Sequence, residues 1–319
     1  MIGIMGAGAF GTALAVSYSS QGAVVLWSRD AQAVTEMTIT RRNHRYLPDM
    51  VLPETVRVTA RTSDLDACDA ILISVPTQKL RDFMTAQGAS LGASVLVACC
   101  KGAEVGTGLG PTEIIRDCKA GVVPALLTGP SFATDIARGL PTALCIAAED
   151  PDVRKQLQHW LSVPQIRVYR TADVVGAELG GALKNVIAIA CGAAIGAGLG
   201  ESARAALMTR GFAEMIRLAR LRGARAETLA GLSGFGDLVL TCASEQSRNF
   251  RFGHSLGAEK PFDPGITVEG AATAKALACD ASLRDVELPI LRAVHELASG
   301  ELKVSDAIDK LLSRPLKEE

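Results

Sequence analysis

Histidine is scarce in this chain, with four in 319 residues, and none of its eight cysteines forms a C-x-x-C pair. The cysteines stand at 68, 99, 100, 118, 145, 191, 242 and 279. That spacing offers neither a zinc-ligand pattern nor a disulfide framework, so no metal is expected and a reducing, cytoplasmic setting suits the chain. Charge of one sign is also lacking. The 33 basic and 34 acidic side chains are dispersed and leave a formal net charge of -1. The electrostatic footprint of a nucleic-acid partner is therefore absent. The opening "MIGIMGAG" already reads as strand and turn, which leaves no room for a signal peptide. The longest uncharged stretch, 185–200, is shorter than the roughly 20 residues of a membrane span and is broken by glycines. It reads as a buried helix running into a loop, and no span is expected. Tandem repeats, low-complexity segments and a proline-rich linker are missing too.

What is present is apolar: 48 % of the residues are hydrophobic, enough at this length for two packed cores. Up to about residue 170, short β-rich runs alternate with helical stretches: "IGIM", "AVVLWS", "VRVTA", "AILISV", "SVLVACC", "PALLTG", "TALCIAA" and "IRVYR". This pattern predicts an α/β domain, a doubly wound parallel sheet covered on both faces. Beyond Asp173 the strand signal stops, and 174–199, 203–222, 268–279, 289–299 and 304–313 read as helices. The expected division is a dinucleotide-binding domain over 1–176 and an all-helical substrate-binding and catalytic domain over 177–319.

"GIMGAGAFGTALA" sets Gly6, Gly8 and Gly11 in G-x-G-x-x-G spacing between a strand and a helix. The first glycine allows the tight turn, the second a close backbone approach to a pyrophosphate, and the third close helix–strand packing. The helix N-terminus adds unpaired N–H groups for phosphate. The second strand ends "VVLWSRD", with Ser28 and Arg29 where an NAD-selective site carries an acid. A guanidinium there suits a 2'-phosphate and favours NADP(H), with NAD(H) possible; Asp30 comes too late to grip the ribose. The alternative reading of Arg29 is a solvated loop residue.

"GGALKNVIAIACGAAIGAGLG", residues 180–200, places Lys184 and Asn185 at the head of an apolar, glycine-studded run. Burial of an unpaired ammonium costs several kcal/mol unless it is hydrogen-bonded or faces a charge. Taken alone, Lys184 reads as an edge lysine with its head in water.

The chain resembles the bacterial NAD(P)-dependent glycerol-3-phosphate dehydrogenases along nearly its full length. The resemblance is carried by "GAGAFGTALA", "RRNHRYLP", "SVPTQ", "CCKGAE", "TGPSFATDIARGLPTA", "ELGGALKNVIAIACG", "AALMTRGFAEM", "GLSGFGDLVLTC", "SRNFRFG" and "VEGAATA", in the family's order. It implies a Rossmann-type domain followed by helices, as in 6-phosphogluconate dehydrogenases. The activity it implies is interconversion of glycerone phosphate and sn-glycerol 3-phosphate with a nicotinamide cofactor, mainly for phospholipid synthesis, by a homodimer.

Reduction of a ketone builds negative charge on oxygen and needs a positioned proton donor. By the resemblance Lys184 is that donor, Asn185 orients substrate, and Asp237 pairs with Lys184 or binds substrate hydroxyls. Lys101 contacts cofactor and substrate. Gly129 and Ser131 in "TGPSFA" line the substrate, with Ala133 beside the cofactor; Ser131 also reads as a helix cap. Ser247, Arg248 and Asn249 resemble the phosphate clamp, Arg248 touching the cofactor as well. Ala9, Phe10, Thr267 and Glu269 complete the implied cofactor contacts. Without the match, "SRNFRFG" reads as a polar loop and Glu269 as a solvated helix start. Two departures stand out: Ser202 where many members carry asparagine, and Ala9 where serine is common. Two other readings stay open here, a β-hydroxyacid or 6-phosphogluconate dehydrogenase, and a non-catalytic NADPH sensor.

Overall fold

The computed structural model describes residues 1–92 and 95–307. The strand expected from residue 94 thus begins its described part at Val95, and residues 308–313 of the last expected helix lie outside the described residues; residues 304–307 are helical. Contacts divide the chain into two units, 1–101 with 109–178, and 102–108 with the residues from 179 on. The second segment of the first unit thus ends inside one helix, and the 102–108 excursion has no counterpart in the division expected at 176.

Among the described residues the first unit holds ten strands: β1 (Ile2–Met5), β2 (Val24–Trp27), β3 (Arg42–Asn43), β4 (Leu47–Val51), β5 (Val56–Thr59), β6 (Ala70–Ile73), β7 (Val95–Ala98), β8 (Val123–Thr128), β9 (Thr142–Ala147) and β10 (Ile166–Thr171). Eight form one sheet in the order β10-β9-β8-β7-β6-β1-β2-β5, while β3 and β4 make a separate hairpin that the sequence did not announce. The runs "VVLW", "AILI" and "VLVA" are buried at every position, as strands covered on both faces must be. Successive residues feed opposite cores. Ile4, Leu26, Leu72 and Val97 pack with α1 (Ala9–Tyr18) and α6 (Pro151–Leu161). Met5, Val25, Ile71, Ile73 and Leu96 pack with α3 (Thr77–Gln87) and α4 (Pro111–Cys118). The remaining helices here are α2 (Ala31–Thr40) and α5 (Ala133–Ala137).

Six strands, β5-β2-β1-β6-β7-β8, are parallel. The expected parallel sheet departs from parallel pairing at one place, because β9 pairs antiparallel to β8, while β10 follows β9 in parallel. The connecting helix α5 has five residues, about 7.5 Å of rise, whereas a six-residue strand spans about 20 Å. So short a helix does not carry the chain back along β8, and the next strand starts from the same end. Chain order reverses at β1, whose neighbours are β2 and β6. That switch point is where ligands collect in open α/β sheets.

The second unit is built on α7 (Val174–Gly196), with α8 (Gly200–Leu221), α9 (Ala226–Ala230), a π-type turn at Leu232–Gly236, α10 (Asp237–Cys242), α11 (Arg248–Gly257), α12 (Glu269–Ala278) and α13 (Pro289–Ser299). By length and mean hydropathy α7 passes as a membrane span, yet 78 % of its apolar window is buried within the protein. Val186, Ile187, Ala188, Ile189 and Cys191 make it the core of this unit, as expected for a helix apolar all round. Its glycines let other backbones touch it. A Cβ at Gly180 would overlap the Ser233 carbonyl, and Cβ atoms at Gly192 and Gly196 would overlap the carbonyls of Phe250 and His254. Reciprocally, Gly253 and Gly257 of α11 lie on the carbonyls of Ile189 and Ala193. The excursion 102–108 joins this unit through Ala103, buried in the same core, whose N–H donates to Thr273 Oγ1 at 3.2 Å.

Within the first unit, Glu178 Oε1 accepts from the Thr112 N–H at 2.7 Å, near the head of α4. Burial pushes this carboxyl from its ordinary 4.5 up to about 7; bonds from Thr112 and the nearby Arg116 oppose that rise, and Glu113 adds to it. The folded state therefore holds a proton that the unfolded chain releases above pH 4.5. Stability contributed here falls as pH climbs from about 4.5 to about 7, by up to about 1.4 kcal/mol per pH unit. Glu178→Gln keeps an acceptor for Thr112 but cannot ionise. Urea unfolding across this window should show the variant gaining on the wild type as pH rises; parallel curves would remove Glu178 as the cause.

Candidate active site

In the first unit the glycine turn follows β1 at the switch point. Gly6 has φ +113, and a Cβ there would overlap the Ser74 carbonyl that follows β6. A Cβ at Gly11 would strike the Gly6 carbonyl. Gly8 differs from both: it is the N-cap of α1, supplies no side-chain cap, and its Cβ would meet nothing within 4 Å. Open space before uncapped N–H groups is a cradle that fits a pyrophosphate, as the dinucleotide reading requires. Ala9 and Phe10 start the helix, half-buried, with Phe10 leaning on the core. Arg29 is exposed after β2. Asp30 is committed elsewhere, since its Oδ1 accepts from the N–H groups of Gln32 and Ala33 at 3.0 and 3.1 Å and caps α2.

Three predicted residues meet at one carbonyl. Lys101 Nζ donates to Gly129 O at 2.9 Å, and Ser131 Oγ donates to the same oxygen at 3.1 Å. Gly129 has φ +125 and faces the β9 backbone, a conformation that only glycine adopts readily. Ser131 is not a helix cap: α5 begins at Ala133 after Phe132, without a side-chain cap, because the Ser131 hydroxyl is turned back to Gly129. Cys99 and Cys100 are core residues, and burial raises the Cys99 thiol far above its ordinary range.

In the second unit Lys184 is 7 % exposed, which overturns the edge-lysine reading. Its Nζ donates to Asp237 Oδ1 and to Thr241 Oγ1, each at 2.8 Å, and Thr241 Oγ1 donates to the same carboxylate oxygen at 3.2 Å. Asp237 and Thr241, both nearly inaccessible, sit one turn apart on α10. Thr241 was missed as a site residue; an aspartate and a threonine four apart on a helix were the available signal. The Gly180–Ser233 contact brings the π-type turn onto α7, so that α10 starts within reach of Lys184.

A second network lies one residue further along α7. Asn249 Nδ2 donates to Asn185 Oδ1 at 2.9 Å, Gly270 N–H donates to Asn249 Oδ1 at 2.9 Å, and Asn185 Nδ2 donates to Gly181 O at 3.3 Å. "SRNFRFG" is the start of α11 rather than a polar loop, because Ser247 caps it by accepting from Phe250 N–H at 3.2 Å. Arg248 is exposed at its first turn, while Asn249 is buried. Glu269 opens α12 and is buried, so the solvated reading fails for it too; Thr267, in the coil before α12, is exposed, as is Ser202 at the start of α8.

Residues 1–154 match the family model described as NAD-dependent glycerol-3-phosphate dehydrogenase N-terminus, and residues 173–309 match its C-terminus. The chain belongs to the NAD-dependent glycerol-3-phosphate dehydrogenase family. A glycerol-3-phosphate dehydrogenase of the NAD(P)+ type from Ruegeria sp. is 58 % identical over 318 residues, covering 100 % of this chain and 99 % of its own. One from Roseobacter denitrificans has the same identity and coverage. The crystal structure of glycerol-3-phosphate dehydrogenase from Coxiella burnetii matches with a TM-score of 0.91 at 37 % identity, over 98 % of both chains. In this glycerol-3-phosphate dehydrogenase family member, the Lys184–Asp237–Thr241 and Asn185–Asn249 networks are thus parts of an oxidoreductase.

The turn glycines separate by role. Gly11→Ala should lower the melting temperature, because its Cβ has no room beside the Gly6 carbonyl. Gly8→Ala should melt like the wild type, yet bind a dinucleotide at least about tenfold more weakly, since its methyl enters the cradle. Equal melting losses in both variants would refute the distinction.

Proposed function

We propose that the chain reduces glycerone phosphate to sn-glycerol 3-phosphate, with NADPH preferred over NADH, supplying glycerophospholipid synthesis in the cytoplasm as a homodimer. The observation that carries this reading is the buried Lys184 ammonium, held by Asp237 and Thr241. Family membership supports the reaction. The exposed Arg29 at the end of β2, with Asp30 spent on a helix cap, supports NADPH.

The bound nicotinamide supplies the hydride. Lys184 supplies the proton: a buried carboxylate beside it favours the ammonium form, and Thr241 fixes its direction, so the charged donor is aimed before substrate arrives. As C2 accepts hydride, its oxygen gains charge and takes the proton from Nζ, which completes the alcohol. Asn185, anchored by Asn249, orients the substrate. The phosphate dianion is taken by the exposed Arg248 with the Asn249 amide and the Ser247 segment, since guanidinium gives directional charge-assisted bonds. Lys101, Gly129 and Ser131 serve substrate and cofactor, and Ala9, Phe10, Ala133, Thr267 and Glu269 serve the cofactor. On this reading, 1–176 is the dinucleotide-binding domain and 177–319 the substrate domain.

NADPH oxidation with glycerone phosphate, with NADH in parallel and a β-keto acid as control, tests the reaction. Turnover on the keto acid alone would replace it. Lys184→Ala should cut turnover about 100-fold or more while NADPH still binds. Because this variant strands a buried carboxylate, it should also lose about 3–5 kcal/mol of stability. Adding Asp237→Asn should restore much of the stability but none of the activity, and a double variant with recovered turnover would remove Lys184 as donor. Arg29→Ala should raise KM for NADPH about tenfold and leave NADH unaffected; equal effects on both would remove Arg29 from cofactor selection.

A further inference from the structure

The hairpin of β3 and β4 carries a buried amide that the reaction above does not use. Asn43 is 5 % exposed, and its Nδ2 has two donors. One goes to Ala7 O at 2.9 Å and the other to Thr12 Oγ1 at 2.8 Å. Both acceptors belong to the glycine turn and the first turn of α1, where Thr12 N–H also reaches Gly8 O at 3.0 Å. The Asn43 carboxamide oxygen accepts from Tyr46 N–H at 3.3 Å and so is tied to its own hairpin. The hairpin is braced in turn. Arg41, with φ +53, sends Nε to Leu52 O at 3.2 Å and Nη2 to Val56 O at 2.9 Å, while Leu47 and Leu52 enter the core.

A trans peptide points its C=O and the following N–H in opposite directions. With the Ala7 carbonyl held toward Asn43, the Gly8 N–H is fixed facing away from the hairpin. The Thr12 bond pins the helix start on which that peptide sits. An unheld turn would let the Ala7–Gly8 peptide rotate and present a carbonyl to a phosphate.

We propose that Asn43 is a positioning residue for the dinucleotide, locking the Ala7–Gly8 peptide so that the N–H groups heading α1 are set for a pyrophosphate before it binds. The assignment rests on the reading of this turn as a dinucleotide cradle. It also predicts that the residue acts on what NADPH and NADH share. Preorganisation of this kind sets affinity by removing the cost of ordering the loop on binding.

The test is equilibrium binding of NADPH, NADH and adenosine 2'-monophosphate to the full chain and to Asn43→Asp, which keeps the shape but replaces both donors by an acceptor. Expected is a rise in Kd of at least about tenfold for both dinucleotides and by the same factor, with a much smaller change for the nucleotide lacking a pyrophosphate. In turnover assays, KM for the dinucleotide should rise by more than kcat falls. Should the aspartate variant not fold, Thr12→Val should raise the dinucleotide Kd about two- to fivefold, and Thr12→Ser should restore wild-type binding. A melting temperature that drops while dinucleotide Kd stays put would overturn the proposal, as would equal losses for adenosine 2'-monophosphate. A wild type that binds no dinucleotide at all would instead overturn the reading of the turn, and the assignment with it.

Discussion

The helical unit depends on backbone-to-backbone contact along α7. At Gly180, Gly192 and Gly196 the helix surface is bare, and carbonyls of the π-type turn and of α11 lie where side chains would otherwise stand. α11 answers with Gly253 and Gly257 at the matching places. A contact this close admits one register only, because sliding by a residue would drive a side chain into a carbonyl. The register sets Asp237 against Lys184 and Asn249 against Asn185. A bulkier residue at these glycines would separate those pairs before it exposed any apolar surface. The polar chemistry is therefore positioned by the absence of side chains elsewhere on the same helix.

In both polar networks of that unit, side chains hold one another. Lys184, Asp237 and Thr241 form a triangle of hydrogen bonds, and Asn185 and Asn249 link side chains to the backbone at Gly181 and Gly270. Such bonding helps to satisfy buried polar groups. It also means that each group has its direction without a ligand. The glycine turn follows the same rule, with its peptide held by Asn43 and its shape dictated by contacts at Gly6 and Gly11.

What could be read from the residues follows from how local each signal is. The central strand runs are buried on both faces and so were visible as apolar segments, and the glycine spacing is confined to one turn. Lys184 was different: on its own it looked like a solvated lysine, because its partners lie 53 and 57 residues away. Only the resemblance to a family lifted it, and the geometry then supplied the reason. The reversal at β9 was hidden because an apolar strand looks alike in either direction, and the deciding quantity was the length of α5. α11 was obscured by the polar, arginine-rich opening of "SRNFRFG", although Ser247 is a conventional capping residue. Asn43 was invisible as a site residue and Thr241 was marked only by its spacing from Asp237, since each acts through an acceptor or a donor brought near by the fold.

The excursion of residues 102–108 has a consequence for how such a protein can arise. The chain leaves the sheet-bearing unit, contributes a few residues to the helical one, returns, and departs for good only after Glu178. The two units are therefore interleaved in sequence, not laid end to end. A single crossover between genes could not exchange one unit whole, because the loop carrying Ala103 would stay with the wrong partner and the contact to Thr273 would be lost. Recombination would have to join at three places at once. The sheet-bearing unit and its helical companion are thus not separable by one cut in the chain.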